Sequence, residues 1–429
     1  MKDVIPLKKA FVVGGVRTPF AKSMGAYAGV KIQEIMTETL AQLVKMYHLE
    51  GKTLGDVGIG AILKSARSWN FARECVLGVD LDHATPAFNF TRACGTGLDI
   101  TGIIALKIMK GEISIGGACG VDTNSDIALE LPYEMTQKIL AFRYAKTWGE
   151  KLKILFSMKL RDFAPESPWV VEPRTGLSMG EHCELMVQEW NIARQDQDAL
   201  ALISHLNAAK AYEEGFYDDL VFEFKGIKQD TIVRGDTSLE KLAKLKPAFE
   251  KSPKGTLTAG NSSPLTDGAA AVLMADEETA KAWGLPILAE FIDMEVTAVD
   301  YLNGEGLLMA PTIAVARLLG RYDLKLQDID VYEIHEAFAG QVLCTLKAWE
   351  SDDYCHKKLG LDKALGPIDR SKMNLKGGSV ALGHPFAATG CRQVATLAKI
   401  LSTKKNAIGL ISMCTGGGMG VAALLRSVP

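Results

Sequence analysis

Apolar residues along this chain fall into two spacings, short uninterrupted runs and runs recurring every three or four positions, and the two alternate. Residues 10–13 form an apolar run ending at Gly14 and Gly15, which predicts a buried strand, and residues 31–47 carry apolar positions at helical spacing. A similar alternation then appears twice. Thr96 and Gly97 open an apolar helix over 98–109, a short polar turn follows, and a strand over 113–119 ends at Gly120. Thr389 and Gly390 open a helix over 391–401, a polar turn follows at 403–406, and a strand over 407–413 ends in the glycine cluster after Cys414. Strand, helix and strand in that register imply parallel pairing with a right-handed crossover, and two copies imply a pseudo-symmetric α/β protein.

Between the copies the pattern changes. Residues 126–249 hold more charges and aromatics, and 191–212 reads as one long amphipathic helix. The small apolar residues at 269–273 then predict a return to the first sheet. The expected division is an N-terminal half over 1–125, an inserted loop or lid domain over 126–250, a return strand over 251–284, and a C-terminal half over 285–429.

A chain of 429 residues, 48% hydrophobic and 23% charged, is long enough for two or three lobes with sizeable cores. The net charge of −3, with both signs interspersed, makes a nucleic-acid partner unexpected, although an anion the size of coenzyme A can still be held locally. The amino terminus lacks an apolar run long enough for a signal-peptide core, and no stretch approaches eighteen apolar residues. The cytoplasm is the default expectation, with no membrane span. Eight cysteines without a C-x-x-C pair argue against a zinc site and a disulfide framework, so most should be reduced and buried.

Three residues then stand out on glycine-rich turns. Cys94 lies in Thr91-Arg92-Ala93-Cys94-Gly95-Thr96-Gly97, directly before a helix whose positive end should lower the thiol pKa from about 8.5, with backbone N–H groups able to bind an oxyanion. The alternative is a small buried hydrophobe at a tight turn. His384, in Gly383-His384-Pro385, has the pKa range of a group that takes the thiol proton or donates to an enolate, against the alternative of a satisfied loop histidine. Cys414 ends a strand and precedes three glycines that offer free N–H donors; otherwise it is a core residue. A fourth group, His335-Glu336, follows a strand-like run at 329–332 and opens a helix, where α/β sheets usually keep their sites, or where Glu336 merely caps.

Together these segments resemble the thiolase family over nearly the whole chain. Val16-Arg17-Thr18-Pro19-Phe20, the Cys94 turn, Met179-Gly180, the 257–263 run, His335-Glu336-Ala337-Phe338-Ala339, Gly383-His384-Pro385 and the 414–420 turn occur in the family's order and approximate spacing. The resemblance implies a duplicated layered α/β fold with an inserted loop domain, and a reversible Claisen chemistry on acyl-CoA with no permanently bound cofactor. It implies that Cys94 takes the acyl group, that His384 activates it, and that Cys414 moves the proton of the acetyl-CoA carbanion. It further implies one oxyanion hole from His384 with His335, directly or through water, another from the backbone N–H groups of Cys94 and Gly416, and coenzyme A contacts from Ser263 and Arg234.

Departures from the common pattern refine the resemblance. His335 stands where most of the family has asparagine, and Ala387 where many have glycine; both are similar to the β subunit of the fatty-acid-oxidation trifunctional complex and its bacterial relatives. The 118–125 run also departs, leaving Asp122 a structural or interface role. The implied activity is 3-ketoacyl-CoA thiolysis, set against an acetoacetyl-CoA-forming acetyltransferase, a β-ketoacyl synthase-like enzyme using Cys94, His335 and His384, or an inactive acyl-CoA-binding scaffold. A homodimer or dimer of dimers is inherited from the family, and a hydratase/dehydrogenase α subunit from the subgroup. Residues 144–163 interleave Lys146, Lys151, Lys153, Lys159 and Arg161 with Trp148, Leu152, Leu155 and Phe156, which suits a partner or a membrane surface. The favoured expectation is a lid helix packed on its own core.

Overall fold

The computed structural model of the chain describes residues 7–166 and 171–428. The first six residues, part of the amino terminus read above for a signal, lie outside them. Ten strands carry the fold: β1 Ala10–Arg17, β2 Ala21–Lys22, β3 Asp56–Gly60, β4 Ala87–Phe90, β5 Ile115–Asp122, β6 Thr266–Ala275, β7 Ala289–Ala298, β8 Val331–Ile334, β9 Ile408–Thr415 and β10 Met419–Ser427. Those helices that position the site or cover the sheet are α1 Ile32–Met46, α2 Thr96–Met109, α3 Tyr133–Tyr144, α4 Trp148–Ser157, α5 Met179–Glu189, α6 Arg194–Glu213, α7 Ala310–Arg321, α8 Ala339–Trp349, α9 Ser379–Leu382 and α10 Ala388–Leu401.

The strands follow the order β4-β3-β5-β6-β1-β7-β10-β9-β8, with β2 beside β6. Read outward from the middle, the two halves repeat. In the first, β3 runs parallel to β5, and β5–β6–β1 pair antiparallel. In the second, β8 runs parallel to β9, and β9–β10–β7 pair antiparallel. The halves are joined where Ala10, Phe11 and Val12 of β1 face Phe291, Glu290 and Ala289 of β7.

Strand periodicity sorts the side chains into three layers of core. Met413, Ile411, Val421 and Ala423 point to the same side as Val272 and Met274, and enclose α2 and α10 between the two half-sheets. The alternate positions Leu273, Ala271, Cys119 and Val121 meet Ile35, Leu40 and Leu43 of α1. On the far side Leu410, Ala422 and Leu424 meet Val315 and Leu318 of α7. With both faces covered, β5 and β6 are buried throughout, which is why they read as runs and not as alternations.

The central helices touch at glycine. A side chain at Gly390 would stand 2.2 Å from Leu98 N, and one at Gly97 would stand 2.3 Å from Ala387 O. Asp122, fully buried, ties the same region by accepting the N–H groups of Ile62, Leu63 and Ala387 at 2.8, 2.8 and 2.9 Å, a structural role as expected.

Between β5 and β6 the described residues make the helices α3 to α6 and a short helix at Leu239–Ala243, and the long helix read at 191–212 is α6. The expectation for 144–163 is corrected: this stretch is the end of α3, all of α4 and a turn of 3-10 helix at Leu160–Phe163, not one packed lid helix. Only Met135 is buried in α3 and no residue is buried in α4, while Trp148, Phe156 and Leu160 are 79%, 84% and 93% exposed.

Replacing Gly390 by alanine forces the two helices apart at backbone, not at a flexible side chain. The expected cost is about 1–3 kcal/mol of unfolding free energy, read from denaturant titration, with loss of turnover exceeding what the unfolded fraction explains. A G390A protein with unchanged stability and activity would show that the crossing is not tight.

Candidate active site

Each chemical group sits on a turn that its neighbours stitch in place. Ala93 adopts φ +40, a left-handed conformation costing a non-glycine residue about 1–3 kcal/mol, and holds the Cys94 turn at the entrance of α2. Thr96 secures that turn, its Oγ1 accepting the Arg92 N–H at 2.7 Å and donating to Ala93 O at 2.7 Å. Cys94 remains partly open to the cavity, yet its sulfur lies in an apolar setting. The expectation of a lowered thiol pKa is therefore overturned: burial pushes it up to about 12, opposed by the Gly416 backbone N–H and reinforced by the Asp122 carboxylate.

His384 follows Gly383, whose φ of +100 turns the chain toward β6, where the His384 N–H donates to Thr266 Oγ1 at 2.7 Å. Its Nδ1 lies 2.6 Å from Thr389 Oγ1, and its Nε2 is buried without a partner among the described residues. Burial, then the Arg392 charge, push this imidazole down to about 3. The His335 ring lies 4.3 Å from it, centroid to centroid, and is driven well below the usual histidine range by burial, His384 and Arg392. Both rings are neutral. Cys414, at the end of β9, is buried, and burial with the nearby Cys94 sulfur raises its thiol well above the usual range.

One cavity of about 400 Å³ brings most of these groups together. Cys94, His384, Cys414, Gly416 and Ser263 line it, with Phe249 and Phe338 among its apolar wall. A second cavity of about 490 Å³ opens on the other side of Cys94, against Ile62, Leu63, Ile127 and Pro173. Arg234 lines neither; its backbone N–H donates to His205 Nδ1 at 3.2 Å. Glu336 does not cap a helix, since α8 begins three residues later. It is buried against Ser204 Oγ at 2.7 Å, Asn374 Nδ2 and the Val380 N–H.

Sequence reasoning passed over Ser379, Arg392, Thr389 and Glu172. Ser379 reaches His335 and Arg392 donates to Ser379, Thr389 reaches His384, and Glu172 holds the glycine turn by accepting the Gly417 N–H at 2.6 Å. Arg392 had a signal: it is the one charged residue in the otherwise apolar and polar-neutral run 386–398. Glu172 had none, because it lies far away in the inserted region.

The Thiolase N-terminal domain model matches residues 10–278, and the Thiolase C-terminal domain model matches residues 285–427. The chain belongs to the thiolase family. It is an acyltransferase, and nearly its whole length has curated thiolase relatives. The 3-ketoacyl-CoA thiolases of Yersinia pestis (strain Pestoides F) and Yersinia pseudotuberculosis (serotype O:1b, strain IP 31758) are each 37% identical over 421 residues, covering 97% of this chain and 96% of theirs. The solved acetyl-CoA acetyltransferase of Bacillus anthracis superposes with a TM-score of 0.81 at 30% identity, covering 99% of this chain and all of that one. The Acat5 thiolase of Ascaris suum, solved in complex with coenzyme A, shares the fold with a TM-score of 0.79 at 24% identity, covering 98% of this chain and all of that one.

With Cys94 near 12, alkylation of this thiol by iodoacetamide in the resting protein should rise about tenfold per pH unit from about pH 7 to 9, followed on the Cys94 peptide by mass spectrometry. A rate that levels off near neutrality would mean that the thiolate is already formed.

Proposed function

We propose that the chain is a 3-ketoacyl-CoA thiolase, cleaving 3-ketoacyl-CoA with coenzyme A to acetyl-CoA and a shortened acyl-CoA. The observation that carries this is two thiols and an imidazole, from both halves of the chain, on one cavity. A buried neutral pair favours proton transfer concerted with attack over a standing ion pair. As Cys94 Sγ bonds to the C3 carbonyl carbon, its proton passes to His384. The C2–C3 bond then breaks, its electron pair goes to C2, and Cys414 donates its proton there, releasing acetyl-CoA. Incoming coenzyme A gives its thiol proton to the Cys414 thiolate and attacks the thioester. Cys94 leaves with the proton held by His384, and all three groups are restored.

The acyl carbonyl is bonded to the Cys94 sulfur, so the backbone N–H groups of Cys94 and Gly416 are the donors within reach of its oxygen. His384 and His335 lie beyond and would serve the acetyl thioester oxygen as it becomes an enolate. Each such donor contributes about 3 kcal/mol to lowering the barrier. Ser263 on the cavity wall supports the expected coenzyme A contact, and the Arg234 contact has no support from the cavity lining. The second cavity beside Cys94 gives an acyl tail a place and favours longer substrates over acetoacetyl-CoA alone. Cys414 favours thiolysis over a decarboxylating synthase, which needs no second thiol.

Two further readings concern assembly. Edge strand β4 leaves Asn89 exposed and Phe88 and Phe90 half-buried, which supports pairing with a second copy of the chain in the cytoplasm. The α3–α4 hairpin, with Trp148, Phe156 and Leu160 beside exposed Lys146, Lys153, Lys159 and Arg161, supports contact with an anionic membrane surface over an α subunit. No helix among the described residues is long and apolar enough to cross a membrane.

C94A should lose thiolysis by about 10³-fold or more, and C414A by about 10²-fold while still forming the acyl-enzyme from a simple acyl-CoA, seen as a mass increment on the intact protein. C94A that still turns over removes the reading, and a chain-length series confined to acetoacetyl-CoA replaces it with the acetyltransferase. In vesicle sedimentation the protein should pellet with anionic and not zwitterionic phospholipid, less at high salt, and F156E should abolish this with turnover unchanged. Absence of binding turns the hairpin back to a protein partner.

A further inference from the structure

His335 is the one group of the site whose chemistry the reaction scheme leaves half specified, because a neutral imidazole donates or accepts at Nε2 according to where its proton sits. The surrounding core decides it. His335 Nδ1 lies 2.9 Å from Ser379 Oγ, the first residue of α9. Arg392 of α10 donates from Nη2 to the same oxygen at 3.1 Å and from Nη1 to Glu333 Oε2 at 3.1 Å. All four residues are buried.

A guanidinium has donors and no lone pair, so Ser379 Oγ receives the arginine bond and keeps its own hydrogen to place. Among the described residues, His335 Nδ1 is the other polar group at hydrogen-bond distance from this hydroxyl. If Nδ1 carried the proton, the serine would face two donors, and its hydrogen would be buried with no acceptor. If Ser379 donates to Nδ1, the serine hydrogen and the Nδ1 lone pair are both satisfied, and the imidazole proton lies on Nε2, which has no partner among the described residues and sits beside His384.

We propose that Glu333, Arg392 and Ser379 form a tautomer lock that holds His335 as an Nε2–H donor facing the His384 side of the site. Glu333 orients the guanidinium, the guanidinium orients the hydroxyl, and the hydroxyl fixes the ring. Ser379 and Arg392 are positioning residues that act through the His335 ring; of the three, only His335 stands against His384, the histidine that lines the cavity. Because His335 cannot act as a base with Nδ1 engaged and Nε2 protonated, its work is to donate toward the enolate oxygen past the His384 ring or through water, since His335 is buried and lines neither cavity, and this last step rests on the thiolase reading.

The test is ring-¹⁵N NMR of the full-length protein labelled at histidine, with H335N assigning the resonance. The native protein should show a directly bonded proton on Nε2 and a bare Nδ1. S379A should release the tautomer and lower the thiolysis kcat by about tenfold or more, with KM for coenzyme A within about twofold, and S379T should restore both. Ser379→Cys, a weaker donor of similar size, gives the same reading where the alanine variant does not fold. A proton on Nδ1 in the native protein overturns the lock. So does S379A that keeps Nε2–H, whether its turnover is unchanged or falls with its melting temperature, since the serine then only fills space. The spectrum needs no turnover, so a native Nε2–H in a protein without thiolysis would sink the reaction and leave the lock standing.

Discussion

Gly97 and Gly390 let helices from opposite halves of the chain approach until the backbone of one lies where a side chain of the other would stand. The rest of the site depends on that approach. Cys94 precedes one of these helices and His384 the other, so the closer the helix starts come together, the closer the thiol lies to the imidazole. Cys414 ends the strand that follows the second helix, and its glycine turn meets Cys94 from the other side. A duplicated fold thus supplies the cavity with one thiol from its first copy and an imidazole and a thiol from its second.

The same packing sets the electrical state of those groups. Two thiols are raised and two imidazoles lowered, and in each case burial is the largest cause. Desolvation penalises the charged form of an acid and a base alike, so it drives thiol and imidazole pKa values apart and leaves both neutral. A site of this kind does not store a thiolate. Charge develops only as bonds change, and the donors that meet it, backbone N–H groups and imidazole N–H, are dipoles already in place.

Much of the fold was legible because it is written locally. The helix starts at Thr96-Gly97 and Thr389-Gly390, the strands that follow them, and the repeat itself appear where the apolar pattern puts them, within a few residues. The convergence of Cys94, His384 and Cys414 on one cavity was legible too, since glycine-rich turns mark where backbone comes close to a ligand. What escaped was long-range or energetic. Reading the Cys94 thiol as lowered weighed the helix end, visible in sequence, against desolvation, which is not. Residues 144–163 looked fit for packing by their apolar spacing, yet only the fold shows that no core lies beneath α4. The coenzyme A contact expected of Arg234 rests on motif spacing across a loop of variable length, and Arg234 lines neither cavity beside Cys94.

Position 335 shows how one substitution draws in its surroundings. An asparagine amide carries donor and acceptor on fixed atoms, so a turn that holds its backbone also fixes what it offers. An imidazole in the same place is ambiguous until its other nitrogen is engaged. Burial in an apolar core removes the water that would otherwise satisfy either form, so the choice falls to a protein group. Ser379 alone leaves the ambiguity, because a hydroxyl donates as readily as it accepts. Arg392 removes it, being unable to accept, and Glu333 keeps the arginine in place from within β8, two residues before His335 itself. A histidine at 335 therefore requires both the serine and the arginine, and its chemistry is decided by residues that never meet the substrate.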